Sequence, residues 1–400
     1  MQSRKLMSNY RKPTTRVRTF VFVFLFCLGT TSGVWAQQPT QNSGISPSSV
    51  AVPDAESGVK DSKTEDVKAG ASETAPIPGF DPVKRIPLYE TIQEDWSSLA
   101  IGVSKLTPEP PLEAQTDEGN GFTRALVQMK WRPGDPLDVY VILPKSVKNP
   151  PAILYLYGYK DDTDRFKDDR WCERVTGGGF AAVGLVSALS GHRFHDRPLR
   201  QWFVSELQES LGSTVHDVKF ILDYLAQRGD IDMTRIGMFG QSSGGAIAIL
   251  AAAADPRIKA VHVLDPWGDW PVWLAESRVA KDDPGHAAFT DPAFLNKVAP
   301  LDPVKWLPTL KTPRIRIQQI MENTVTPDAC KDALRKAAPR RAQVERFDHA
   351  TQFADVAGSG KLFDWTKAQL KSLPEGQKRA SVAQRVAPPS NKSSSVASQR

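Results

Sequence analysis

A serine flanked by glycines is the stretch whose residue types and spacing best fit chemistry. Gly240-Gln241-Ser242-Ser243-Gly244 follows the apolar run RIGMF and precedes the run GAIAILAAAA. Glycines two residues before and after Ser242 remove side chains where a chain must turn sharply from a strand into a helix. A serine at such a bend is raised above the sheet edge, where its hydroxyl can attack a carbonyl carbon. An ordinary turn without chemistry is the alternative.

Two neighbouring serines could supply the hydroxyl. Only Ser242 has a glycine two residues away on each side, so we predict Ser242 as the nucleophile. We predict that Ser243, at the start of the following helix, contributes its backbone N–H to an oxyanion hole.

A serine hydroxyl needs a base, commonly a histidine that a carboxylate orients. Of the six histidines, three precede the serine, His262 lies within a predicted strand and His286 lies in a polar insertion. His349, in RFDHATQFAD, follows the last predicted strand and therefore returns to the sheet edge where the serine emerges. We predict His349 as the base, with a plain surface histidine as the alternative.

Several polar residues compete to orient that histidine. Asp265 follows the predicted strand RIKAVHVL, and Glu322 follows the predicted strand TPRIRIQQI. Asn323 stands beside Glu322, and an amide cannot compensate the charge of an imidazolium. We predict Asp265 as the acid, Glu322 as the alternative acid and Asp269 as a more distant option. A turn-forming role for Asp265, without chemistry, also stays open.

Strand-like and helix-like patterns alternate after about residue 78. FTRALVQMKW and LDVYVILP flank a turn-rich segment and predict an antiparallel pair. Short apolar runs then predict buried parallel strands, and helical patterns lie between them, one over residues 213–228. The predicted fold class is α/β, a doubly wound, mostly parallel sheet with antiparallel N-terminal strands. A small lid insertion is predicted at about residues 267–308.

Three further residues are candidates for binding a substrate. Trp267 and Trp270 lie in the insertion and could line an apolar pocket, although packing of the insertion onto the core explains them equally well. Arg193, in SGHRFHDRPLR, could hold an anionic group, with a solvated loop residue as the alternative. His192 and His195 have no third ligand nearby, so neither a metal nor another cofactor is predicted.

The first 36 residues differ in composition from the rest. Basic residues precede the apolar run FVFVFLFCLG, and small residues follow it. This order predicts a signal peptide over residues 1–36, because the run is shorter than a membrane span. We further predict a disordered linker over 37–77, a folded domain over 78–373 and a disordered basic tail over 374–400. The expected location is periplasmic or extracellular, with no stable membrane span after cleavage.

The net charge of +6 originates in the predicted signal peptide, which holds six of the 51 basic residues and no acidic one. The remainder has 45 of each sign. Nucleic-acid binding relies on clustered positive charge, so no nucleic-acid partner is predicted. Cys172 and Cys330 remain in the predicted mature chain, where export permits a disulfide. The sequence leaves their pairing and the oligomeric state open.

From roughly residue 122 to residue 373 the chain resembles the α/β-hydrolase superfamily. Ser242, Asp265 and His349, with the stretches VLDPW and HATQFAD, resemble the catalytic set of the platelet-activating-factor acetylhydrolase branch. The chain is about equally similar to dienelactone-hydrolase-like esterases. The resemblance implies a second oxyanion N–H from Tyr159, although Tyr157 stands where a histidine is customary.

The resemblance implies an activity as well as a fold. It implies cleavage of a small-molecule ester through an acyl-enzyme intermediate, with a lipid ester as an alternative substrate. A serine peptidase of the prolyl-oligopeptidase kind is one rival interpretation, although the residues before 122 are too few for a propeller domain. A catalytically inactive binding protein on the same fold is the other.

Overall fold

The computed structural model describes residues 95, 97–99, 108–132, 135–158, 164–189, 204 and 206–375. The predicted signal peptide, the predicted linker and nearly all of the predicted tail lie outside these residues, as do Tyr159 and Arg193. Within the described part of the chain, no helix is long and apolar enough to cross a membrane.

A mixed sheet lies at the centre of the fold. Its strands are β1 (Leu112–Glu118), β2 (Phe122–Met129), β3 (Leu137–Pro144), β4 (Ala152–Leu156), β5 (Ala181–Leu185), β6 (Ile236–Gln241), β7 (Ile258–Leu264), β8 (Arg314–Ile320) and β9 (Gln343–Phe347). Their spatial order is β1-β2-β3-β5-β4-β6-β7-β8-β9. The β1/β2, β2/β3 and β3/β5 pairs are antiparallel, and all pairs from β5 to β9 are parallel.

The side-chain patterns explain why these segments are strands. Every residue of β4 (AILYL) and β5 (AAVGL) is buried, as expected for parallel strands covered on both faces. The predicted antiparallel pair is confirmed, with Phe122 opposite Pro144 and Met129 opposite Leu137. Strand β1 was not predicted, because LEAQTDE is an exposed edge strand without apolar alternation.

Helices follow most of the parallel strands. The described helices are α1 (Asp164–Lys167), α2 (Asp169–Thr176), α3 (Leu207–Arg228), α4 (Ser243–Ala254), α5 (Trp270–Glu276), α6 (Arg278–Lys281), α7 (His286–Phe289), α8 (Pro292–Val298), α9 (Pro303–Trp306), α10 (Asp328–Ala337), α11 (Ala350–Gly358) and α12 (Asp364–Lys371). The helix predicted at residues 213–228 is confirmed within α3, which ends at Gly229 in the left-handed conformation.

Helices cover both faces of the sheet. A side chain at Gly237 of β6 would contact Thr366 and Leu370 of α12, whereas a side chain at Gly240 would contact α4. Positions 237 and 240 point to opposite faces of the strand, so α12 and α4 lie on opposite sides. The predicted doubly wound α/β sheet with antiparallel N-terminal strands is therefore confirmed.

The insertion between β7 and β8 contains α5 to α9. Its helices α8 and α9 pack against α3 and α4, on one face of the sheet. Trp267, Trp270 and Trp273 are almost fully buried in this packing, and the rings of Trp267 and Trp273 lie 4.4 Å apart. The insertion is thus anchored by aromatic contacts to the core, and its role as a lid stays a prediction.

The strand order reverses at β4, which has β5 on one side and β6 on the other. Crevices that bind ligands in α/β sheets lie outside the carboxyl ends of the strands at such a reversal. The residues after β4 and β6 therefore meet where a site is expected.

His262 of β7 is a buried histidine away from that edge. Its Nε2 lies 2.7 Å from Gln318 Oε1, and its Nδ1 lies 3.3 Å from Thr366 Oγ1. Gln318 Nε2 donates to Glu345, so the amide oxygen faces the imidazole and Nε2 carries the proton. Burial lowers the pKa of His262 from 6.5 to about 4, which keeps the ring neutral.

The low pKa of His262 predicts a pH-dependent stability. The unfolded chain takes up a proton near pH 6.5 and the folded chain only near pH 4, so the free energy of unfolding falls as the pH drops through this window. The loss amounts to about 3 kcal/mol at most. A His262→Gln variant has no imidazole at this position and does not show this loss. The unfolding free energies of the variant and the starting protein should therefore converge between pH 7 and pH 4. Urea unfolding followed by tryptophan fluorescence measures the difference, and parallel curves would contradict the assignment.

Candidate active site

Ser242 lies at the bend between β6 and α4 in a conformation that is rare for a residue with a side chain. Its φ is 52° and its ψ is −117°. Such a backbone costs about 1–3 kcal/mol and persists only where the surroundings enforce it. The Ser242 N–H donates to Leu264 O at 2.9 Å, and the Ser242 carbonyl accepts from Gly245, Ala246 and Trp267. The bend is therefore fixed from both sides by backbone hydrogen bonds.

The two glycines of the motif make this bend possible. A Cβ at Gly240 would lie 2.8 Å from the Cβ of Ala248 and would also meet the carbonyl of Gly244. A Cβ at Gly244 would lie 2.7 Å from Tyr157 O and would also meet the carbonyl of Leu156. Both distances are shorter than real Cβ contacts, so the first turn of α4 packs too tightly for any other residue.

The segment after β4 approaches the serine closely. A Cβ at Gly158 would lie 3.1 Å from Ser242 Cβ and 3.5 Å from Ser242 Oγ. Glycine at this position therefore lets the backbone that leads to Tyr159 pass directly beside the hydroxyl. Sequence reasoning missed Gly158, although its position after a buried strand at the reversal of the sheet was a usable signal.

Ser243 is the first residue of α4 and is fully buried. The N-terminus of a helix carries a partial positive charge, which favours negative charge that develops beside it. The backbone of Ser243 therefore lies where it could stabilise an oxyanion on a substrate bound to Ser242. Tyr159, the other predicted donor, lies outside the described residues.

His349 and Glu322 contact each other at the carboxyl ends of β9 and β8. His349 Nδ1 lies 3.1 Å from Glu322 Oε2, and the Ala350 N–H donates to Glu322 Oε1 at 2.7 Å. The Ala350 N–H and the His349 ring lower the pKa of Glu322, which keeps its carboxylate ionised. His349 is the N-cap of α11, and its side chain is 68% exposed. The structure thus holds an imidazole and a carboxylate together at the predicted edge.

Asp265 does not contact His349. Its Oδ1 accepts from the Ile320 N–H at 2.7 Å, and its Oδ2 accepts from Asn323 Nδ2 at 2.9 Å. Burial raises the pKa of Asp265 to about 6, and the two hydrogen bonds oppose this shift. Among the described residues, Glu322 is the carboxylate that lies within hydrogen-bonding distance of His349. Of the two predicted acids, Glu322 is therefore the one that contacts His349.

Ser242 and His349 share no hydrogen bond among the described residues. Both follow carboxyl ends of parallel strands of one sheet, and catalytic hydrogen bonds commonly tighten only when a substrate is bound. The exposed imidazole of His349 has room to turn.

The two tryptophans predicted to line a pocket are buried. Trp267 is 2% exposed and Trp270 is 0% exposed, and the indole N–H of Trp270 donates to Leu301 O at 2.9 Å. The structure therefore favours packing over pocket lining, the two interpretations that the sequence left open. Arg193, the third candidate, lies outside the described residues.

Cys172 and Cys330 are free buried thiols. The described residues contain no cluster of His, Cys, Asp and Glu suited to a metal.

A serine at a sharp strand-to-helix bend, on a sheet of this order, defines a hydrolase of the α/β-hydrolase superfamily. Residues 133–369 match the family described as X-Pro dipeptidyl-peptidase (S15 family). The match spans more than half of the chain, and the chain belongs to this family.

Individual relatives are more distant. A Bacillus subtilis (strain 168) protein named "Putative hydrolase YtaP" is 29% identical over 140 residues, which cover 30% of this chain and 45% of that protein. The Pyrococcus horikoshii acylaminoacyl peptidase has a TM-score of 0.49 and 16% identity, over 64% of this chain and 43% of its own. Acetyl xylan esterase 1 from Thermoanaerobacterium has a TM-score of 0.46 and 15% identity, over 65% and 88%. At these values neither structure indicates a substrate.

The tight contacts of Gly244 predict the result of adding a methyl group there. A Gly244→Ala variant should lose about 1–3 kcal/mol of unfolding free energy, because its Cβ would overlap the carbonyls of Leu156 and Tyr157. Gly358 of α11 has open space around it, so Gly358→Ala is a matched control that should keep or gain stability. Urea unfolding measures both variants, and equal stability of the two would contradict the packing described.

Proposed function

We propose that the chain is an exported serine hydrolase that cleaves carboxylic esters through an acyl-enzyme intermediate. The backbone conformation of Ser242 is the observation that carries the proposal. Strain of this kind clusters at functional sites, and here it raises a hydroxyl at the reversal point of the sheet. The bend is held by glycine contacts and backbone hydrogen bonds that a plain turn does not need.

In the proposed reaction Ser242 Oγ attacks the ester carbonyl carbon while His349 Nε2 takes the serine proton. The carbonyl oxygen becomes an oxyanion, which the N–H groups of Ser243 and Tyr159 stabilise. The tetrahedral species collapses, the alcohol leaves with the proton from His349, and an acyl group remains on Ser242. Water then attacks the acyl carbon with His349 as base, which releases the carboxylic acid and restores the hydroxyl.

Glu322 is the acid of the proposed set. It holds Nδ1 of His349, so the proton-accepting nitrogen is Nε2, and its negative charge favours the imidazolium that forms during attack. The Ala350 N–H holds the second carboxylate oxygen, which fixes the orientation of the carboxylate. His349 must turn toward Ser242 when substrate binds. Its exposure permits this movement and also gives water access for the second half of the reaction.

A peptidase activity is the second candidate, and membership of the X-Pro dipeptidyl-peptidase family favours it. The two reactions share the nucleophile, the base and the oxyanion hole. An amine leaving group must be protonated as it departs, whereas an alcohol leaves more readily, so peptide cleavage demands more accurate placement of His349. The exposed position of His349 meets the smaller demand of an ester.

Substrate class and location complete the proposal. The substrate is a small-molecule ester, with a lipid ester as an alternative, and no cofactor takes part in the steps above. Export rests on the basic residues and apolar run of residues 1–36, which lie outside the described residues.

Ser242 should be the residue that reacts with the substrate. A Ser242→Ala variant should lose at least about 1,000-fold in kcat/KM toward p-nitrophenyl acetate, because the variant lacks the attacking hydroxyl and the side chain of the neighbouring Ser243 is fully buried. Ser359→Ala, a hydroxyl at the end of α11, serves as the control and should retain activity. A fluorophosphonate adduct located by mass spectrometry should lie on Ser242. An unlabelled protein would indicate a binding protein, and faster cleavage of Ala-Pro-p-nitroanilide than of the ester would favour the peptidase.

Glu322 should contribute to catalysis through His349. A Glu322→Gln variant keeps the side-chain size but removes the charge, so kcat/KM should fall by about 100- to 10,000-fold. Glu276→Gln changes an exposed carboxylate in α5 and is the matched control, with activity expected to be unchanged. Steady-state kinetics with p-nitrophenyl acetate measures both, and full activity of Glu322→Gln would remove Glu322 from the proposed mechanism.

A further inference from the structure

A buried lysine lies beneath the turn that carries Glu322. Lys331 of α10 is 1% exposed, and lysine is almost never buried unless it is paired. Its Nζ donates to Met321 O at 3.0 Å, to Asn323 O at 2.7 Å and to Asp328 Oδ1 at 3.2 Å. The first two acceptors are the carbonyl groups of the residues on either side of Glu322. One ammonium group therefore holds the backbone of the acid from both sides.

A buried carboxylate holds the same turn by accepting hydrogen bonds from N–H groups of the turn. Asp265 is 2% exposed and accepts from the Ile320 N–H and from Asn323 Nδ2. The other side-chain atom of Asn323, Oδ1, accepts from the Val325 N–H at 3.0 Å, which fixes the orientation of the amide. Residues 320 to 323 are thus bound by a negative charge and a positive charge from two different elements, the end of β7 and α10.

The backbone of Asp265 supports a positioning role. Its φ is 43°, in the left-handed region that residues with side chains rarely adopt. The Asp265 N–H donates to Gln318 O at 2.8 Å, and its carbonyl accepts from Thr326 Oγ1 at 3.4 Å. The end of β7 is therefore connected to the chain both before and after Glu322, and the unusual conformation aims the Asp265 carboxylate at this turn.

We propose that Asp265 and Lys331 are positioning residues that fix the turn of residues 320–323 and so hold Glu322 against His349. This inference rests on the proposed function, in which Glu322 is the acid. Neither Asp265 nor Lys331 touches the substrate or His349 in this scheme. Each acts through the backbone on either side of Glu322.

The exposure of Glu322 explains why such support is needed. The Glu322 and His349 side chains are 39% and 68% exposed, and an exposed ion pair contributes little on its own because both partners lose rotamer freedom. The contact alone therefore cannot hold a catalytic geometry. A backbone fixed by buried charges reduces the number of orientations open to Glu322, and small displacements of a catalytic group carry large kinetic costs.

The test is a double-mutant cycle between Lys331 and Glu322. Lys331→Met keeps the length of the side chain and removes the three donated hydrogen bonds. It should lower kcat/KM toward p-nitrophenyl acetate by about 10- to 100-fold in the otherwise unchanged protein. In a Glu322→Gln background the same change should alter kcat/KM less than about twofold, because the group that Lys331 positions is already disabled. Equal losses in both backgrounds would overturn the inference, since general destabilisation would act in both.

Lys367 provides a matched control. It is a half-buried lysine whose Nζ also donates to two backbone carbonyls, Arg174 O at 2.9 Å and Gly177 O at 2.8 Å. Lys367→Met removes two comparable hydrogen bonds and should lower the melting temperature, while kcat/KM stays within about twofold of the starting protein. A loss of activity in Lys367→Met as large as in Lys331→Met would also overturn the inference.

Asp265 supplies a second test if Lys331→Met does not fold. Asp265→Asn places an amide nitrogen against Asn323 Nδ2, two donors facing each other, so kcat/KM should fall. The exchange Asp265→Asn with Asn323→Asp restores a donor and an acceptor and also leaves acceptors for the Ile320 and Val325 N–H groups. It should recover kcat/KM to within about threefold of the starting protein. No recovery in a folded double variant would overturn the inference.

If the proposed function is wrong, the activities of the variants should differ from those expected above. If Glu322→Gln retains full activity while Asp265→Asn loses it, Asp265 is the acid, and the positioning role falls with the assignment of Glu322. If Glu322→Gln loses activity and neither Lys331→Met nor Asp265→Asn does, Glu322 stays the acid and only the positioning role is wrong.

Discussion

The rest of the site depends on one strained residue. Ser242 combines a positive φ with a place between a buried strand and a buried helix, and neither neighbour can move without breaking the sheet or the core. The hydrogen bond from its N–H to Leu264 O ties the bend to β7, and the contact of Gly158 ties it to the segment after β4. Contacts with three strands offset the energetic cost of the Ser242 backbone conformation. The hydroxyl therefore keeps its place before any substrate arrives.

The two halves of the candidate site are built in opposite ways. Backbone hydrogen bonds and closely packed glycines, rather than side chains, determine the geometry around Ser242. Glu322 and His349 are exposed side chains on turns, and their geometry depends on the residues that hold those turns. In α/β sheets this division is common, because strands supply a rigid edge and the loops after them supply chemistry. Buried charge under the Glu322 turn gives the exposed half some of the rigidity that the serine half has from its backbone.

Much of the fold followed from local pattern. The strands β4 and β5 are short, wholly apolar runs, and β6 to β8 are mostly buried, so these strands stand out in the sequence, whereas the polar edge strand β1 has no such signal. Chain order singled out Ser242 and His349 as candidates, since the carboxyl ends of parallel strands share one edge, and the structure places both at that edge. The acid could not be selected in this way, because spacing places both Asp265 and Glu322 at that edge and says nothing of which carboxylate faces the imidazole. In the structure Asp265 turns inward to Ile320 and Asn323, whereas Glu322 contacts His349. Lys331 was missed, although a lysine next to Cys330 and three residues before Leu334, on the buried side of a helix, was a readable sign of a paired charge.

The position of each strand in the sheet also determines how readily each part of the site unfolds locally. β6 lies inside the sheet between β4 and β7, whereas β9 is the last strand and is only partly buried. Terminal strands open at lower free energy than central ones, because fewer contacts must break. Ser242 thus follows a central strand that should open late, whereas His349 follows a terminal strand that should fray early. Detachment of the final strand and α11 would separate the imidazole from the hydroxyl while the central fold stayed intact.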